Sequence, residues 1–389
     1  MAIIFFSGSR KKMVFIALTL VLALLVLATG YLGTKSKGDI AIGVAWPFES
    51  NNSLFREGVE LAVKEINQGG GIKGRNIQLV MKDDQASVAV GMAIAQSFAK
   101  ERQVAAIIGH RNSFVSIPAS RIYEEAGLVM LSPASTTPEL TRNGYRSVFR
   151  NIPSDDEIAR KIAIFCSQQG QKRMVVYYSE DSYGVGLANS FEDHARKAGV
   201  KVVDRISYYG GLKDLERLHN KWKALDFDGI FIAGGMPAGA EFIADGGQVG
   251  ISVPYYAGNA MDSPLLQEIG GQAADGAVVG SIFNQDDNRE EVKSFIENFT
   301  KQYNVPPGAY SAQGYDAVKL LAAAIGQADS LDSAALADHL RGLKNWPGVA
   351  GYHSFDQNGD DVGDLVVIKV LRDGKFQLKA ADSLNSGAE

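Results

Sequence analysis

The chain is predicted to be an α/β protein built from two doubly wound parallel-sheet lobes. From residue 39 onward, short apolar runs alternate with amphipathic stretches of helical period, separated by polar or glycine-rich connections. Such alternation is typical of parallel sheets covered by helices on both faces. The series begins again after Asn151-Ile152-Pro153. We therefore expect two lobes of similar plan, with a cleft where their strand ends face each other.

The elements of the first lobe follow from these patterns. Apolar runs predict strands at 40–45, 76–81, 105–108 and 128–131. Helical spacing of apolar residues predicts helices at 54–68, 87–100 and 116–125. Three consecutive glycines at 69–71 end the first helix and make the turn.

The second series predicts strands at 173–178, 200–207, 229–233, 254–257 and 277–280. The helices that alternate with them are predicted at 157–168, 186–197, 212–225 and 238–249. Helical patterns at 289–302, 310–328 and 333–343 follow, and residues 349–377 then become β-like, with the clearest strand at 365–371.

Composition excludes several classes of protein. Of the 389 residues, 46% are apolar and 21% are charged, which indicates a globular chain rather than a disordered one. The formal net charge of −5 leaves no basic excess, so nucleic acid is not expected as a partner. The one cysteine, Cys166, lies in a helical pattern and is interpreted as a small buried apolar residue. No histidine pair has metal-ligand spacing, and we expect neither a metal nor a cofactor.

The N-terminus predicts export. Arg10, Lys11 and Lys12 precede an uncharged run at 13–32 that is long enough to span a bilayer core. The small residues at 28–30 also suit a signal peptidase. A membrane anchor and a cleaved signal peptide both remain open, and in either case the body would lie outside the cytoplasm.

Small hydroxyl residues mark the ends of two apolar strands in the first lobe. They are Ser113 after one strand, and Ser132, Ser135 and Thr136 after the next. Strand ends that run into helix starts offer free N–H groups, helix dipoles and hydroxyls to a small polar or anionic group. The alternative is that these hydroxyls only cap helices.

Aromatic residues also occur next to strand ends. Trp46 and Phe48 follow the first strand, Phe114 adjoins Ser113, and Tyr183 lies in a turn after the first strand of the second lobe. Aromatic side chains there could form apolar cleft walls, and a tyrosine adds a hydrogen-bonding tip. The alternative is packing against neighbouring loops.

No catalytic motif is evident. The run DQNGDDVGD at 356–364 evokes a calcium loop but lacks the glycine at the sixth position and the terminal glutamate that such loops need, so a polar turn is favoured. No nucleophile and base stand at usable spacing, and an enzyme is not expected.

The chain resembles the leucine/isoleucine/valine-binding type of periplasmic solute-binding protein, which has the type I periplasmic binding fold. The resemblance covers nearly all of residues 39–379. The segments that carry it are GVELAVKEINQGGGIKGRNIQLVMKDDQAS (58–87), AAIIGH (105–110), PASRIYEEAGLVMLSPASTTPELT (118–141), DSYGVGLA (181–188) and AYSAQGYDAVKLLAAAI (309–325).

This resemblance implies two lobes joined by a hinge of three crossings. It implies that the helices at 289–343 return to the first lobe and that the final β-like part rejoins the second. The expected division is a signal or anchor at 1–37, a first lobe at 38–152 and 285–349, a second lobe at 153–284 and 350–380, and a tail at 381–389. The resemblance further implies a monomer in the periplasm or on the outer face of the cell membrane, which delivers its ligand to an ABC permease.

In amino-acid-binding members, the residues that match Ser113, Ala134 and Thr136 hold the ligand's carboxylate and ammonium groups, and the tyrosine that matches Tyr183 closes over it. Ser135 belongs to the same candidate set, and Arg111 and Asn112 could add a partner for the carboxylate.

One departure concerns the ammonium group. Family members place an acid where this chain has Ala260, and Asp262 stands two residues further on. Because a buried ammonium without a carboxylate is costly, either Asp262 reaches the ligand or the ligand has no ammonium group. Asp262 could also merely cap the helix that begins at 263–265.

The ligand expected first is a small amino acid with an apolar side chain. The alternatives are a non-amino carboxylate or an amide, and a ligand-sensing subunit of the same fold.

Overall fold

The computed structural model describes residues 38–49 and 53–379. The predicted signal or anchor at 1–37 and the tail at 381–389 lie outside the described residues. Within the described ranges, no helix is long and apolar enough to span a membrane.

A five-stranded parallel sheet forms the centre of the first lobe, in the order β2-β1-β3-β4-β5. These strands are β1 Ile40–Trp46, β2 Ile77–Asp83, β3 Val104–Gly109, β4 Val129–Ser132 and β5 Val148–Arg150. The residues of β1, β3, β4 and β5 are buried, as expected for strands covered on both faces.

Helices from two parts of the chain cover this sheet. They are α1 Phe55–Gln68, α2 Val88–Lys100 and α3 Ser113–Glu125. The later helices α9 Glu290–Tyr303, α10 Ala309–Gln327 and α11 Ser333–Gly342 return to the same lobe. Helix α10 packs along α1, and Leu321 of α10 joins the core that Val59 of α1 also enters. The return of these helices agrees with the resemblance.

The second lobe has a seven-stranded sheet in the order β14-β13-β10-β9-β8-β6-β7. Five strands are parallel: β6 Arg173–Tyr178, β7 Lys201–Ile206, β8 Gly229–Ala233, β9 Tyr255–Ala257 and β10 Val278–Ser281. The last two, β13 Val367–Arg372 and β14 Lys375–Leu378, add antiparallel. The final β-like part therefore rejoins the second lobe, and the predicted fold class is confirmed.

The helices of the second lobe alternate with its parallel strands. They are α4 Asp155–Gln168, α5 Ser182–Lys197, α6 Leu212–Ala224, α7 Ala238–Gln248 and α8 Leu265–Gly270. Short 3₁₀ turns occur at Pro138–Leu140, Asn259–Met261 and Gly271–Ala274, and a two-stranded sheet pairs β11 Trp346–Pro347 with β12 Tyr352–His353.

The segments that cross between the lobes meet in one apolar cluster. Ile152, Phe283 and Val349 come from three different stretches of chain and are all buried in it. The Asp316 carboxylate accepts hydrogen bonds from the amides of Val349 and Ala350, both at 2.8 Å. Helix α10, which carries Asp316, thus anchors the last of these stretches.

The structure differs from the predicted elements mainly at helix starts. Helix α3 begins at Ser113 rather than at 116, α4 at Asp155 rather than at 157, and α5 at Ser182 rather than at 186. The two added residues of α4 are both acidic and carry no apolar period, whereas the added turns of α3 (SFV) and α5 (SYGV) mix polar and apolar residues. Tyr183 therefore lies in the first turn of α5, where the Asp181 side chain caps the amide of Gly184 at 2.8 Å, and not in a free turn.

The domain boundaries remain predictions, with one adjustment near the last crossing. Phe355 packs in the core of the first lobe, and the carbonyl of Gly359 accepts a hydrogen bond from the Arg150 amide at 3.0 Å. Residues 355–360 therefore contact the first lobe, although the sequence assigns them to the second.

Candidate functional site

The hydroxyl residues at the ends of β3 and β4 converge on one backbone carbonyl. The His110 carbonyl accepts hydrogen bonds from the hydroxyls of Ser116, Ser132 and Ser135, at 3.1 to 3.2 Å. Ser135 also lies 2.5 Å from Ser116, oxygen to oxygen. These contacts turn the Ser135 side chain into the first lobe, so its proposed contact with a ligand would use its backbone.

A buried polar network lies beneath this carbonyl. The His110 ring places Nδ1 2.7 Å from Asp84 Oδ2 and Nε2 3.1 Å from the Tyr123 hydroxyl, and all three residues are fully buried. Because every member has a partner, the network fixes the His110 backbone and with it the loop that follows β4.

Ser113 and Thr136 follow the ends of two neighbouring parallel strands, β3 and β4. Ser113 is the first residue of α3, so any group bound there meets the positive end of the helix dipole. Thr136 is fully buried, and its hydroxyl has no hydrogen-bond partner among the described residues. Ala134, 8% exposed, lies between them in sequence and packs in the apolar core of the first lobe, so its contact with a ligand stays a prediction.

Asp155 is the residue that sequence reasoning missed. It is the first residue of α4, its side chain is fully buried, and neither carboxylate oxygen has a hydrogen-bond partner in the described part of the chain. Its own amide donates to the Thr136 carbonyl at 2.8 Å, which brings it against the loop after β4, residues 133–137, called the hydroxyl loop. A signal was available: Ser154 and Glu157 have the spacing of a helix-start motif, which would have put Asp155 in the first turn.

The surroundings of Asp155 shift the pKa of its carboxyl group towards neutral pH. Burial raises the pKa of Asp155 to about 7, while the nearby Thr136 hydroxyl and the charge of Arg150 act to lower it. Asp181 and Asp156 add repulsion. A cation in this space would favour the charged carboxylate, so the site is suited to an ammonium group.

Tyr183 reaches the same space from the second lobe. Its hydroxyl is buried with no hydrogen-bond partner among residues that the structure describes, and burial, with a contribution from the charge of Asp155, raises the pKa of Tyr183. A Cβ atom added to Gly186, one turn along α5, would lie 3.3 Å from Asp155 Oδ2 and 3.7 Å from the Thr137 hydroxyl. Helix α5 thus lies against Asp155, with the loop after β4 at ordinary contact distance.

The predicted aromatic residues have different surroundings. Trp46 is buried and stacks on Phe55 at 3.7 Å between ring centroids, with its Nε1 unpaired within the described ranges. Phe48 is partly buried and carries the Arg56 guanidinium 4.3 Å above its ring. Both line a cavity of about 240 Å³. Phe114 is half-buried, and its role at the ligand stays a prediction.

Two further groups stand beside these aromatics. Tyr310, near the start of α10, lies edge-on to Trp46 at 5.8 Å, and the Arg111 guanidinium lies 5.3 Å from the Tyr310 ring centroid. The Arg111 Nε and the Asn112 Oδ1 are buried without a partner in the described residues. Sequence reasoning missed Tyr310 because it reads as one residue of a long amphipathic helix.

Asp262 is occupied within the second lobe. Its carboxylate lies 3.1 Å from the Lys369 ammonium and accepts a hydrogen bond from the Ser281 hydroxyl, and both members of the ion pair are at most 7% exposed. Helix α8 has no side-chain cap, so the interpretation of Asp262 as its cap is wrong. Its role as the ammonium partner stays a prediction that this geometry does not favour, because Lys369 already compensates its charge.

Three kinds of group lie near one another where the two lobes meet. A helix start with hydroxyls suits a carboxylate, an unpaired carboxylate beside it suits an ammonium, and aromatic rings offer an apolar wall.

Comparison with known proteins identifies the family. The family model described as "Periplasmic binding protein" matches residues 39–375, which is most of the chain. The chain belongs to this family. The predicted resemblance is thereby confirmed, and the members of this periplasmic binding protein family bind solutes rather than catalyse reactions.

Several solved structures and relatives are similar to this chain. An ABC transporter substrate-binding protein from Desulfitobacterium hafniense, solved in complex with Leu, is 54% identical, with 88% of this chain and 100% of that chain covered and a TM-score of 0.82. A leucine binding protein from Thermotoga maritima is 29% identical over 88% of this chain and 98% of its own, with a TM-score of 0.80. The Leu/Ile/Val-binding protein homolog 1 of Brucella suis is 29% identical over 84% of this chain and 89% of its own.

Proposed function

We propose that this periplasmic binding protein takes up a branched-chain amino acid between its lobes. The observation that carries the proposal is Asp155, a fully buried carboxylate without a partner in the described part of the chain, next to the unpaired hydroxyls of Thr136 and Tyr183. A zwitterion would satisfy all three groups. The 54% identical relative in complex with Leu supports the same ligand class.

In this proposal the ligand carboxylate is held by Ser113 and Thr136. Ser113 is the first residue of α3, where the helix dipole is positive, and Thr136 lies in the loop that follows β4. Hydrogen bonds to a charged group are each worth roughly 1.5 to 3 kcal/mol. The Ala134 carbonyl and the backbone of Ser135 complete the same wall.

The ligand ammonium is assigned to Asp155 and the Tyr183 hydroxyl. This assignment replaces Asp262, whose carboxylate is paired with Lys369. It also removes the difficulty raised by Ala260, because the acid comes from the start of α4 instead of from the loop after β9.

The apolar side chain of the ligand is assigned to the wall made by Trp46 and Tyr310. Trp46 is already stacked on Phe55, so it offers a fixed surface. Phe48 and Phe114 are the other aromatic candidates. The ring of Tyr310 and the guanidinium of Arg111 stand at the end of this wall.

We further propose that the loaded protein, a monomer, delivers its ligand to an ABC permease at the outer face of the cell membrane. The family match and the name of the Desulfitobacterium hafniense relative support this role. The positively charged N-terminus with its apolar run, which lies outside the described residues, supports export by a signal peptide or an anchor.

A thermal-shift and titration experiment on the purified protein tests the ligand. Leucine, isoleucine and valine are compared with isocaproate, which is leucine without its ammonium group, and with glutamate. A branched-chain amino acid at 100 times its dissociation constant should stabilise the protein by about 2.7 kcal/mol. If isocaproate stabilises more than leucine does, the ligand is a carboxylate without an ammonium group and the proposal is wrong.

A further inference from the structure

Arg150 is a buried arginine at the end of the edge strand of the first-lobe sheet, and the proposed ligand contacts do not use it. It is the last residue of β5 and is fully buried. A buried guanidinium is costly unless each of its donors finds an acceptor. The hydrogen-bond partners of Arg150 therefore indicate which part of the structure it stabilises.

Two of these partners belong to the hydroxyl loop. Arg150 Nη1 donates to the Thr137 carbonyl at 2.7 Å and to the Ser135 carbonyl at 3.3 Å. These carbonyls stand on either side of Thr136, so one nitrogen fixes the backbone that presents the Thr136 hydroxyl.

The remaining partners hold the guanidinium itself. Arg150 Nε lies 2.6 Å from Asp360 Oδ1, and Nη2 donates to the Thr141 hydroxyl at 2.6 Å. The Thr141 hydroxyl in turn donates to the same Asp360 oxygen at 2.6 Å. All three guanidinium nitrogens therefore have hydrogen-bond partners. These partners fix the orientation of the guanidinium group.

Asp360 comes from the chain that returns to the first lobe near its end. The Arg150 amide donates to the Gly359 carbonyl at 3.0 Å, and a Cβ atom at Gly359 would lie 2.2 Å from the Val148 carbonyl oxygen. The return segment, residues 355–360, thus packs so closely against β5 that no side chain larger than glycine fits at position 359. The run at 356–364 is more than a polar turn, because one of its acids completes this contact.

The charge of Arg150 also acts on Asp155. It is the one cation among the groups that shape the pKa of Asp155, where it opposes burial and the repulsion from Asp156 and Asp181. Arg150 is therefore linked to both halves of the site, by hydrogen bonds to the loop around Thr136 and by charge to the carboxylate.

We propose that Arg150 is a positioning residue of the ligand site, which Asp360 holds in place so that it fixes the loop around Thr136. This inference rests on the proposed function, because it assumes that Thr136 binds the ligand. Lysine could not replace the arginine, since it cannot bond the two carbonyls, Thr141 and Asp360 from one planar fork. The return segment thus becomes part of the binding apparatus.

A double-mutant cycle between Arg150 and Thr136 tests the proposal. Leucine affinity is measured by titration for the wild type, Arg150→Met, Thr136→Val and the double variant. If Arg150 acts through Thr136, Arg150→Met should weaken binding at least about tenfold in the wild type, and this loss should be at least about threefold smaller when Thr136→Val is already present, because only the effect of its charge on Asp155 then remains. Equal losses on both backgrounds would mean that the arginine supports the lobe in general, and the proposal would be overturned.

Arg341 provides a matched control. Its Nε donates to the Gln357 carbonyl at 3.3 Å, and its guanidinium lies 4.8 Å above the Phe149 ring. Arg341 therefore contacts the same return segment and the same strand, β5, as Arg150 does. None of these contacts involves the hydroxyl loop. Arg341→Met should lower the melting temperature and leave leucine affinity within about threefold of the wild type. A loss as large as that of Arg150→Met would contradict the assignment.

Two further variants keep the test decisive if Arg150→Met does not fold. Arg150→Lys keeps the charge, and Asp360→Asn keeps an acceptor while removing the ion pair. Both are expected to show the same dependence on Thr136, with smaller losses. Additive losses in both would overturn the proposal.

Hydrogen exchange in the ligand-free protein separates this inference from the proposed function. Arg150→Lys should speed exchange of the amides at 135–137, whereas Arg341→Met should leave them unchanged. If the wild type binds no amino acid but this contrast is found, the proposed ligand is wrong and the positioning role stands. If leucine binds but the contrast is missing, the positioning role is wrong.

Discussion

Two buried carboxylates of the second lobe, Asp155 and Asp262, differ in their hydrogen-bond and ion-pair partners. Asp262 has the Lys369 ammonium and the Ser281 hydroxyl as partners. Asp155 has none in the described part of the chain, although it is more deeply buried. A buried charge that already has its counter-ion belongs to the scaffold, whereas one that lacks it has a free interaction to offer. The comparison therefore assigns stability to Asp262 and ligand binding to Asp155.

The largest expected effect on stability falls on Asp262. Asp262→Asn leaves the Lys369 ammonium buried without a counter-ion, and it should lower the free energy of unfolding by about 3 to 5 kcal/mol. Denaturant unfolding measures this loss. Leucine affinity should stay within about threefold of the wild type, since the ligand does not touch this pair. A selective loss of amino-acid affinity with unchanged stability would reverse the roles of the two carboxylates.

The next largest effect is expected on leucine affinity when the hydroxyls of Ser113 and Thr136 are removed. Ser113→Ala combined with Thr136→Val removes two hydrogen bonds to the ligand carboxylate, each worth roughly 1.5 to 3 kcal/mol, and should weaken leucine binding at least tenfold. Titration gives the affinity, and circular dichroism checks the fold. Because isocaproate has the same carboxylate, it should lose as much as leucine does. Unchanged affinity for either ligand in the folded double variant would refute the carboxylate assignment.

The smallest expected effect is the pH dependence of leucine binding. The pKa of Asp155 is raised to about 7 in the empty cleft by burial, and the ligand ammonium should lower it again. At pH 6, leucine should therefore release on the order of one proton, and affinity should rise as the pH increases through 7. Titrations in buffers of different ionisation enthalpy count this proton. Release of the same number of protons by Asp155→Asn would assign it to another group.

The same shift has a consequence for the ligand-free protein. An acid whose pKa is raised by folding contributes most to stability below its unfolded value, and this contribution is lost as the pH rises through the folded value. Removing Asp155 should therefore stabilise the empty protein at pH 8 relative to the wild type, but not at pH 4. Identical pH profiles for the wild type and Asp155→Asn would show that this carboxyl is not buried in solution.

Much of the fold could be predicted from the sequence. Apolar runs and helical periods located nearly every strand and helix, because each of these patterns corresponds to one buried face. Strand β5 was not predicted, since its three residues are too few to show a period. Helix α4 was predicted to begin two residues late, because polar residues form its first turn.

The site could be predicted only in part. Ser113, Thr136 and Tyr183 follow from their position after strands, and the structure places Thr136 and Tyr183 beside Asp155, while the role of Ser113 stays a prediction. Asp155 itself could not be distinguished from a residue that caps a helix, because burial and the absence of a partner are properties of the folded chain. The same holds for Arg150, whose partners Thr137 and Asp360 lie far apart in sequence.

The central claim is that Asp155 is the ammonium partner of the ligand, and one measurement tests it most directly. Leucine and isocaproate are titrated into the wild type and into Asp155→Asn at pH 8, where the carboxylate is charged. The wild type should prefer leucine strongly, and the variant should lose about 3 to 5 kcal/mol of leucine binding, two or more orders of magnitude in affinity. Its affinity for isocaproate should be unchanged or higher, because one repelling charge has been removed. Equal leucine affinity in both proteins would contradict the account.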